Sequence, residues 1–197
     1  MKRIINVLFV PFVLSFVPAS YACAQRKVRG EFREDLARGR EANGRHAPVD
    51  MTGKMVIPYQ LKSVWPFSEG LAKVKDDNGK FGYIDKMGKV VIPCTWNNAH
   101  DFYEGLALVK DADGMYGFID KTGKVVIPCQ WKDAWPFSEG LAKVKDTNGM
   151  YGYIDKTGKV VIPCQWKDAK YFSEGMTWVR DANGDWHRID KTGKIVE

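Results

Sequence analysis

Residues 67–94 read FSEGLAKVKDDNGKFGYIDKMGKVVIPC, and this stretch returns along the chain at a fixed offset of 35 residues. Copies 65–99 and 135–169 are identical at 28 of 35 positions, with no insertion or deletion between them. Such regular self-similarity is the signature of a tandem array of one structural unit. The array comprises a half unit at 49–64, full units at 65–99, 100–134 and 135–169, and a shortened unit at 170–197.

Strand and turn signals alternate within each unit. Leu71 to Lys75 is a short apolar-polar run, and the Asp76-Asp77-Asn78-Gly79 turn that follows recurs in every unit. Asp and Asn cap such turns, and Gly supplies the positive φ that closes a hairpin. A second strand (81–85) and a third (90–96) complete the unit. The pattern predicts an all-β chain of antiparallel three-stranded meanders.

The third strand predicts both a buried face and a sheet edge. A period of two places Val90, Ile92, Cys94 and Trp96 on the inner side, with Val91 pointing outward. Proline follows Ile in each copy and cannot donate to a ladder, so this strand is expected at an edge or with a bulge. The prolines are Pro58, Pro93, Pro128 and Pro163.

The order F-S-E-G-L-A-x-V, D-x-N-G-x-aromatic-G-aromatic-I-D-K-x-G-K and V-V-I-P resembles the WG (KWG) β-repeat family of bacterial proteins over residues 49–197. The Trp-Gly pair of that family stands here as Phe81-Gly82, Tyr116-Gly117 and Tyr151-Gly152, whereas Trp186-His187 keeps only the aromatic residue. The resemblance implies interaction or surface modules without a shared catalytic residue.

The N-terminus has the composition of an export signal. Lys2 and Arg3 precede an apolar stretch, and Ala22-Cys23-Ala24 fits a cleavage site, which predicts a signal peptide at 1–24. Lipid anchoring through Cys23 is the alternative that we consider weaker. Residues 25–48 are charged and predict a polar linker. The mature chain is therefore expected to be periplasmic or extracellular, without a transmembrane span.

The net charge of +6 is spread too evenly to predict nucleic-acid binding. Residues 51–197 hold 21 basic and 19 acidic residues, which alternate along the units. The Asp-Gly turns lack the distant carboxylate of a calcium site, so no metal or other cofactor is expected. His46, His100 and His187 occupy unrelated unit positions, which argues against a catalytic triad and against an enzyme.

The repeated cysteines, Cys94, Cys129 and Cys164, are expected to be buried free thiols. A whole unit separates neighbouring copies, which is too far for a disulfide. A turn present in every unit contains a repeated glutamate, for which we expect a structural role. These glutamates are Glu69, Glu104, Glu139 and Glu174.

Positions that vary between units are the candidates for binding. We select Trp65, His100, Trp135 and Lys170, which share one unit position, and Trp178 from a second variable position. Trp is favoured at protein interfaces and on sugar-stacking surfaces, although Trp65 and Trp135 could equally pack between units.

Two architectures fit the repeat: an open solenoid-like array, which we favour, and a small closed propeller-like ring. The function hypotheses are a protein-interaction scaffold at the bacterial envelope or outside the cell, a carbohydrate or cell-wall binding module, and a structural spacer.

Overall fold

The computed structural model describes residues 37–40, 46–49 and 61–196. Every regular element within those ranges is a β-strand, and no helix there is long and apolar enough to cross a membrane. The strands are β1 (Ala37–Arg40), β2 (His46–Val49), β3 (Leu61–Ser68), β4 (Leu71–Asp76), β5 (Phe81–Ile84), β6 (Val90–Trp96), β7 (Asn98–Tyr103), β8 (Leu106–Lys110), β9 (Tyr116–Asp120), β10 (Val125–Trp131), β11 (Asp133–Ala134), β12 (Ala142–Lys145), β13 (Tyr151–Ile154), β14 (Val160–Trp166), β15 (Asp168–Ala169), β16 (Met176–Arg180) and β17 (Trp186–Asp190).

Strands β3 to β17 form four antiparallel meanders. Sheet 1 contains β3–β6, sheet 2 β7–β10, sheet 3 β11–β14 and sheet 4 β15–β17, each in sequence order. The all-β class and the repeated meander are therefore confirmed. Sheets 1 to 3 have four strands rather than three, because the segment before each Phe-(Ser/Tyr)-Glu-Gly turn pairs with the strand after that turn.

The proline-bearing strand is both an edge strand and a bulged one, as predicted. β6, β10 and β14 are the last strands of their sheets. In sheet 1, Ile84 opposes Val90, Tyr83 opposes Ile92 and Phe81 opposes Trp96, so β6 carries extra residues on either side of Ile92. A bulge bends the strand and leaves part of its ladder unpaired.

The bulge corrects two predictions about the third strand. Val90 is 50% exposed, whereas Val91, expected outside, packs against the core. The extra residue reverses the strict alternation between Val90 and Ile92. Ile92 is buried and Trp96 is half-buried on one face of the sheet, as predicted. Cys94, predicted on that same face, packs on the opposite one with Val74 and Ile84, because the extra residues after Ile92 change the alternation there.

The hydrophobic core lies between successive sheets. Leu71, Tyr83 and Ile92 of sheet 1 pack against a face of sheet 2 that includes Phe102 and Val109. Equivalent residues join sheet 2 to sheet 3 and sheet 3 to sheet 4. Each sheet thus has a forward face, directed toward the next sheet in the chain, and a backward face. Within the described ranges the packing follows chain order, as in an open array.

The N-terminal assignments fall mostly outside the described residues. The predicted signal peptide (1–24) lies outside them, as does most of the half unit at 49–64. The predicted polar linker at 25–48 contains β1 and most of β2, which pair antiparallel with Ala37 opposite Val49. Part of that linker is therefore a β-pair, which its charged composition did not indicate.

Candidate functional site

The repeated glutamates join each sheet to the next one. Each Glu of the Glu-Gly turn has a positive φ of 50–54°. The Glu139 carboxylate accepts hydrogen bonds from the backbone N–H groups of Glu174 (2.7 Å) and Gly175 (2.9 Å) and lies 3.1 Å from Lys191 Nζ. Glu69 and Glu104 bind Gly105 and Gly140 in the same manner.

These contacts keep Glu69 and Glu139 charged. The pKa of Glu139 is lowered, chiefly by the hydrogen bond from Gly175 and the one from Lys191. The pKa of Glu69 is also lowered: burial, the largest single influence, raises it, but Lys121 and the backbone donors together outweigh burial. A carboxylate held in its charged form and occupied by backbone donors serves a structural role.

The candidate binding residues border the first strand of each sheet. Trp65 lies in β3 and His100 in β7, while Trp135 and Lys170 directly follow β11 and β15. The Trp135 N–H donates to the Lys143 carbonyl and the Lys170 N–H to the Trp178 carbonyl, at 3.0 and 2.9 Å. The two variable positions chosen from the sequence are therefore neighbours on adjacent strands.

An internal lysine occupies the ring face of Trp135. Lys143 is 9% exposed, and its Nζ lies 3.9 Å from the Trp135 ring centroid and 5.0 Å from that of Tyr171. Lys143 Nζ also donates to the Ala169 carbonyl at 3.0 Å. Tyr151 approaches the same Trp135 ring, with centroids 5.7 Å apart. Trp135 therefore contacts other residues of the array, and only part of its side chain lies at the surface.

In sheet 1 the equivalent lysine, Lys73, forms an ion pair with a carboxylate of sheet 2. Lys73 Nζ lies 5.0 Å from the Trp65 ring centroid and 3.3 Å from Asp101 Oδ1. Trp65 and His100 are half-buried. Burial and the nearby Lys73 charge lower the pKa of His100, against the opposing influence of Asp101 and Asp133. His100 is thereby biased toward its neutral form near pH 7.

Among the described residues, no further sheet packs on the forward face of sheet 4. Trp178 opposes Arg188 and Arg180 opposes Trp186 across β16 and β17, and directly opposed residues point to the same side of a sheet. Trp178 is 50% and Trp186 41% exposed, and Arg188 is exposed. We call this set, Trp178, Arg180, Trp186 and Arg188, the terminal face.

Cations surround the Trp186 ring on the terminal face. Lys170 Nζ lies 5.1 Å and the Arg180 guanidinium carbon 5.6 Å from its centroid. Arg180 also forms a 3.7 Å ion pair with Asp168. Lys170, exposed beside Trp186, therefore joins the terminal face.

The structure brings only part of the sequence-selected set onto a free surface. Lys170 and Trp178 are exposed near one another, while Trp65, His100 and Trp135 are half-buried in earlier sheets. Trp186 and Arg188 were not selected. The signal that could have found them is the substitution pattern, because Arg188 replaces Tyr83, Phe118 and Tyr153 of the other units.

The cysteines and acidic turns carry no metal centre within the described ranges. Cys94, Cys129 and Cys164 are free thiols, half-buried rather than fully buried as predicted, because the bulged edge strand leaves one side open. Burial and Asp111 raise the pKa of Cys129 to about 11. Asp76 Oδ1 accepts from the Lys80 N–H at 2.8 Å, which is the hairpin chemistry inferred from the sequence. No grouping of three or more metal-ligating side chains occurs in the described part of the chain.

Four copies of the WG containing repeat match the chain, at residues 49–80, 81–114, 116–150 and 151–186. The chain therefore belongs to the WG containing repeat family, and the resemblance noted from its motifs is confirmed. The last three copies begin at or next to β5, β9 and β13, so the family's repeat runs from one second strand to the next.

Several solved structures are similar at low identity. BamB from Moraxella catarrhalis aligns with a TM-score of 0.43 and 13% identity, covering 84% of this chain and 61% of BamB. The computationally designed Ika4 protein gives 0.43 and 10%, covering 70% and 98%. YCF48 bound to D1 peptide gives 0.41 and 11%, covering 83% and 63%. The chain thus spans about three fifths of BamB. A comparison with curated proteins gave no match.

Proposed function

We propose that this protein is an exported, non-catalytic repeat scaffold that binds another protein at the bacterial envelope or outside the cell. The observation that carries the proposal is the terminal face, where two exposed tryptophans lie among arginines. Trp and Arg are enriched in the residues that dominate protein–protein binding energy. Elsewhere the forward faces of the sheets are consumed by packing on the next sheet.

The architecture supports a scaffold. Successive sheets contact their neighbours and bury a hydrophobic cluster at each junction, so the array has an extended surface. Stacked tandem repeats bind partners through the extended surfaces that stacking creates. The variable first-strand residues (Trp65, His100, Trp135) give a second, less exposed surface on the same molecule.

The location is inferred from the N-terminal sequence. The signal peptide predicted at 1–24 favours export, with a periplasmic or extracellular mature chain. Acylation of Cys23 would instead tether the protein to a membrane surface. Intact-mass measurement of the protein purified from its host distinguishes these outcomes, since a chain beginning at Gln25 and an acylated chain beginning at Cys23 differ in mass.

A non-catalytic role without a cofactor is supported by the state of the repeated acids. Glu69 and Glu139 accept hydrogen bonds from backbone and lysine donors, and their lowered pKa makes them poor proton donors near pH 7. The alternation of basic and acidic residues in the units argues against nucleic acid as the partner.

Affinity capture tests the scaffold proposal. Purified 25–197 would be immobilised and incubated with solubilised host envelope, and retained proteins would be identified by mass spectrometry. The Trp178→Ala/Trp186→Ala double variant is expected to lose most of the retained partner. Tyr103→Ala is the matched control, because Tyr103 is 47% exposed on sheet 2 and lies outside the terminal face. A partner retained equally by all three proteins would contradict a role for this face.

Carbohydrate or cell-wall binding is the second candidate. The exposed ring of Trp178 is the observation that favours it, since aromatic faces stack on sugars. Saturable binding on a glycan array, abolished by Trp178→Ala, would support this candidate. The rings of Trp65 and Trp135 already contact Lys73 and Lys143, so their contribution to sugar stacking is expected to be smaller.

A further inference from the structure

We propose that the terminal face binds an acidic protein segment, with a carboxylate of the partner paired to Arg188 and its apolar side chains on Trp178 and Trp186. This inference rests on the proposed scaffold function and names the chemistry of the partner. The terminal face corresponds, strand by strand, to the forward faces that other sheets bury. The contacts made on those buried faces therefore indicate which chemical groups the terminal face can bind.

Arg188, at the centre of the terminal face, disfavours the packing of a further sheet of the same kind. Tyr83, Phe118 and Tyr153, the counterparts of Arg188, are 0–1% exposed beneath the next sheet. A guanidinium buried at that depth against Val and Ile side chains would lose its hydration without a counter-ion, which is strongly unfavourable. A second copy stacked as a continuation of the array is disfavoured for this reason.

The molecule already contains an example of the proposed contact. On the forward face of sheet 1, the cation of Lys73 lies against the Trp65 ring, and the next sheet supplies Asp101 at 3.3 Å. A cation beside a tryptophan thus receives a carboxylate from the element that packs on it. The terminal face repeats this arrangement with the cations Lys170, Arg180 and Arg188 around two tryptophans.

Acidic residues of this chain neutralise only some of the cations on the terminal face. Asp168 pairs with Arg180, and Asp190 Oδ1 accepts hydrogen bonds from Thr192 and Lys194 of its own turn. Among the described residues, no acidic side chain lies within ion-pair distance of Arg188 or Lys170. A carboxylate-bearing partner would complement both cations, and arginine can bind a carboxylate through two parallel hydrogen bonds.

Peptide binding to 25–197 tests the inference. The probe is a fluorescein-labelled twelve-residue peptide that alternates Glu with Leu and Phe, and the comparison peptides carry Gln or Lys in place of Glu. Fluorescence anisotropy is expected to show binding of the Glu peptide that weakens as salt rises, with at least tenfold weaker binding of the Gln peptide. The Lys peptide should not bind.

The Arg188→Tyr variant provides the decisive comparison. It installs the residue that units 1 and 3 carry at this position, so folding is expected to be retained and is checked by the thermal midpoint. Affinity for the Glu peptide should fall about tenfold or more, and Arg188→Lys should restore part of it. Lys89→Ala, which removes an exposed cation from a turn of sheet 1, should leave affinity unchanged.

Three outcomes would overturn the inference. These are equal affinity of Arg188→Tyr and wild type for the Glu peptide, equal binding of the Glu and Gln peptides, and Arg188-dependent binding of phosphatidylglycerol vesicles without peptide binding. An envelope protein captured by wild type and equally by Arg188→Tyr would also reject this site for the partner. That last result would leave the scaffold function itself intact.

Discussion

The glycine that follows the aromatic residue of each second strand is required by a close backbone approach. A Cβ on Gly117 would lie 2.6 Å from the Ile127 carbonyl oxygen and 2.8 Å from the Cys129 nitrogen. Gly82 and Gly152 have the same surroundings. His187 holds this position in sheet 4, where the described residues include no Ile-Pro-Cys strand paired with β17. The close approach of the bulged edge strand therefore explains why sheets 1 to 3 have glycine at this position and why sheet 4 can have histidine.

Replacing Gly117 by Ala is expected to destabilise the protein by about 1–3 kcal/mol, because the added methyl group meets backbone that cannot move aside cheaply. Urea unfolding followed by tryptophan fluorescence gives the change in free energy. The matched control is His187→Ala, at the equivalent position of sheet 4, where room for a side chain exists. Its cost should be about 1 kcal/mol or less, from the lost 3.0 Å contact with Asp181. Equal costs for the two variants would contradict the steric explanation.

Residue-level reasoning from the sequence succeeded where the period of two holds and failed at the bulge. Ile92 is buried as predicted, whereas Val90 and Val91 exchanged roles. Proline at position 93 indicated that a bulge was possible, but not that extra residues lie on both sides of Ile92. That detail depends on how two strands register, which a single strand's pattern does not encode.

At the scale of elements, the Glu-Gly turns form a ladder that runs along the array. Each turn exposes backbone N–H groups, and the glutamate of the preceding turn accepts their hydrogen bonds. The sequence showed the glutamates as part of a turn, and the structure adds their role between sheets. Sequence reasoning missed that role because the bonded residues are 35 or 36 positions apart.

Glu139→Gln is expected to lower the thermal midpoint at pH 7, by less than Gly117→Ala does, because the exposed ladder contact loses its charge. The pKa of Glu139 is lowered in the folded protein, from an ordinary value of 4.5. Its contribution is therefore complete above that value and disappears as pH falls through the lower folded pKa. The difference between wild type and variant should shrink in acid. Thermal melts from pH 7 to pH 3 measure it.

The chain offers an internal control for the ladder. Glu174 has the same positive φ and the same place in its turn, but within the described ranges no following turn donates to its carboxylate. Glu174→Gln should leave the thermal midpoint unchanged at every pH. A drop equal to that of Glu139→Gln would show that the turn itself, rather than the contact between sheets, requires the acid.

The first strand of each of sheets 1 to 3 is the one that the sequence pattern did not predict. β11 is only two residues long, Asp133 and Ala134, and has no apolar alternation. It becomes a strand because β12 offers it an unpaired edge, with Ala134 opposite Val144. Pairing of this kind is created by the assembled sheet, so a reading of strand propensity along the sequence found three strands per unit.

At the scale of the whole molecule, each junction between sheets contains an equivalent packed pair of aromatic rings. The ring centroids of Tyr83 and Phe102 lie 4.9 Å apart, those of Phe118 and Phe137 4.9 Å, and those of Tyr153 and Phe172 4.8 Å. The four phenylalanines of these pairs are 0–4% exposed. A chain built from such repeated junctions behaves as a one-dimensional array, in which each sheet is stabilised chiefly by its neighbours.

Substituting the junction phenylalanines one at a time should reveal this coupling. Each Phe→Ala change is expected to cost about 3–5 kcal/mol at its own junction, from lost burial and the cavity left behind. Phe172→Ala should therefore speed amide hydrogen exchange mainly in β16 and β17, because sheet 4 lies at one end of the described array. Phe137→Ala breaks an internal junction, so exchange should rise on both sides of it, in β8, β9, β12 and β13. If Phe172→Ala instead raised exchange uniformly from β3 to β17, the sheets would unfold as one cooperative unit. Coupling between neighbours would then be too strong for any junction to open alone.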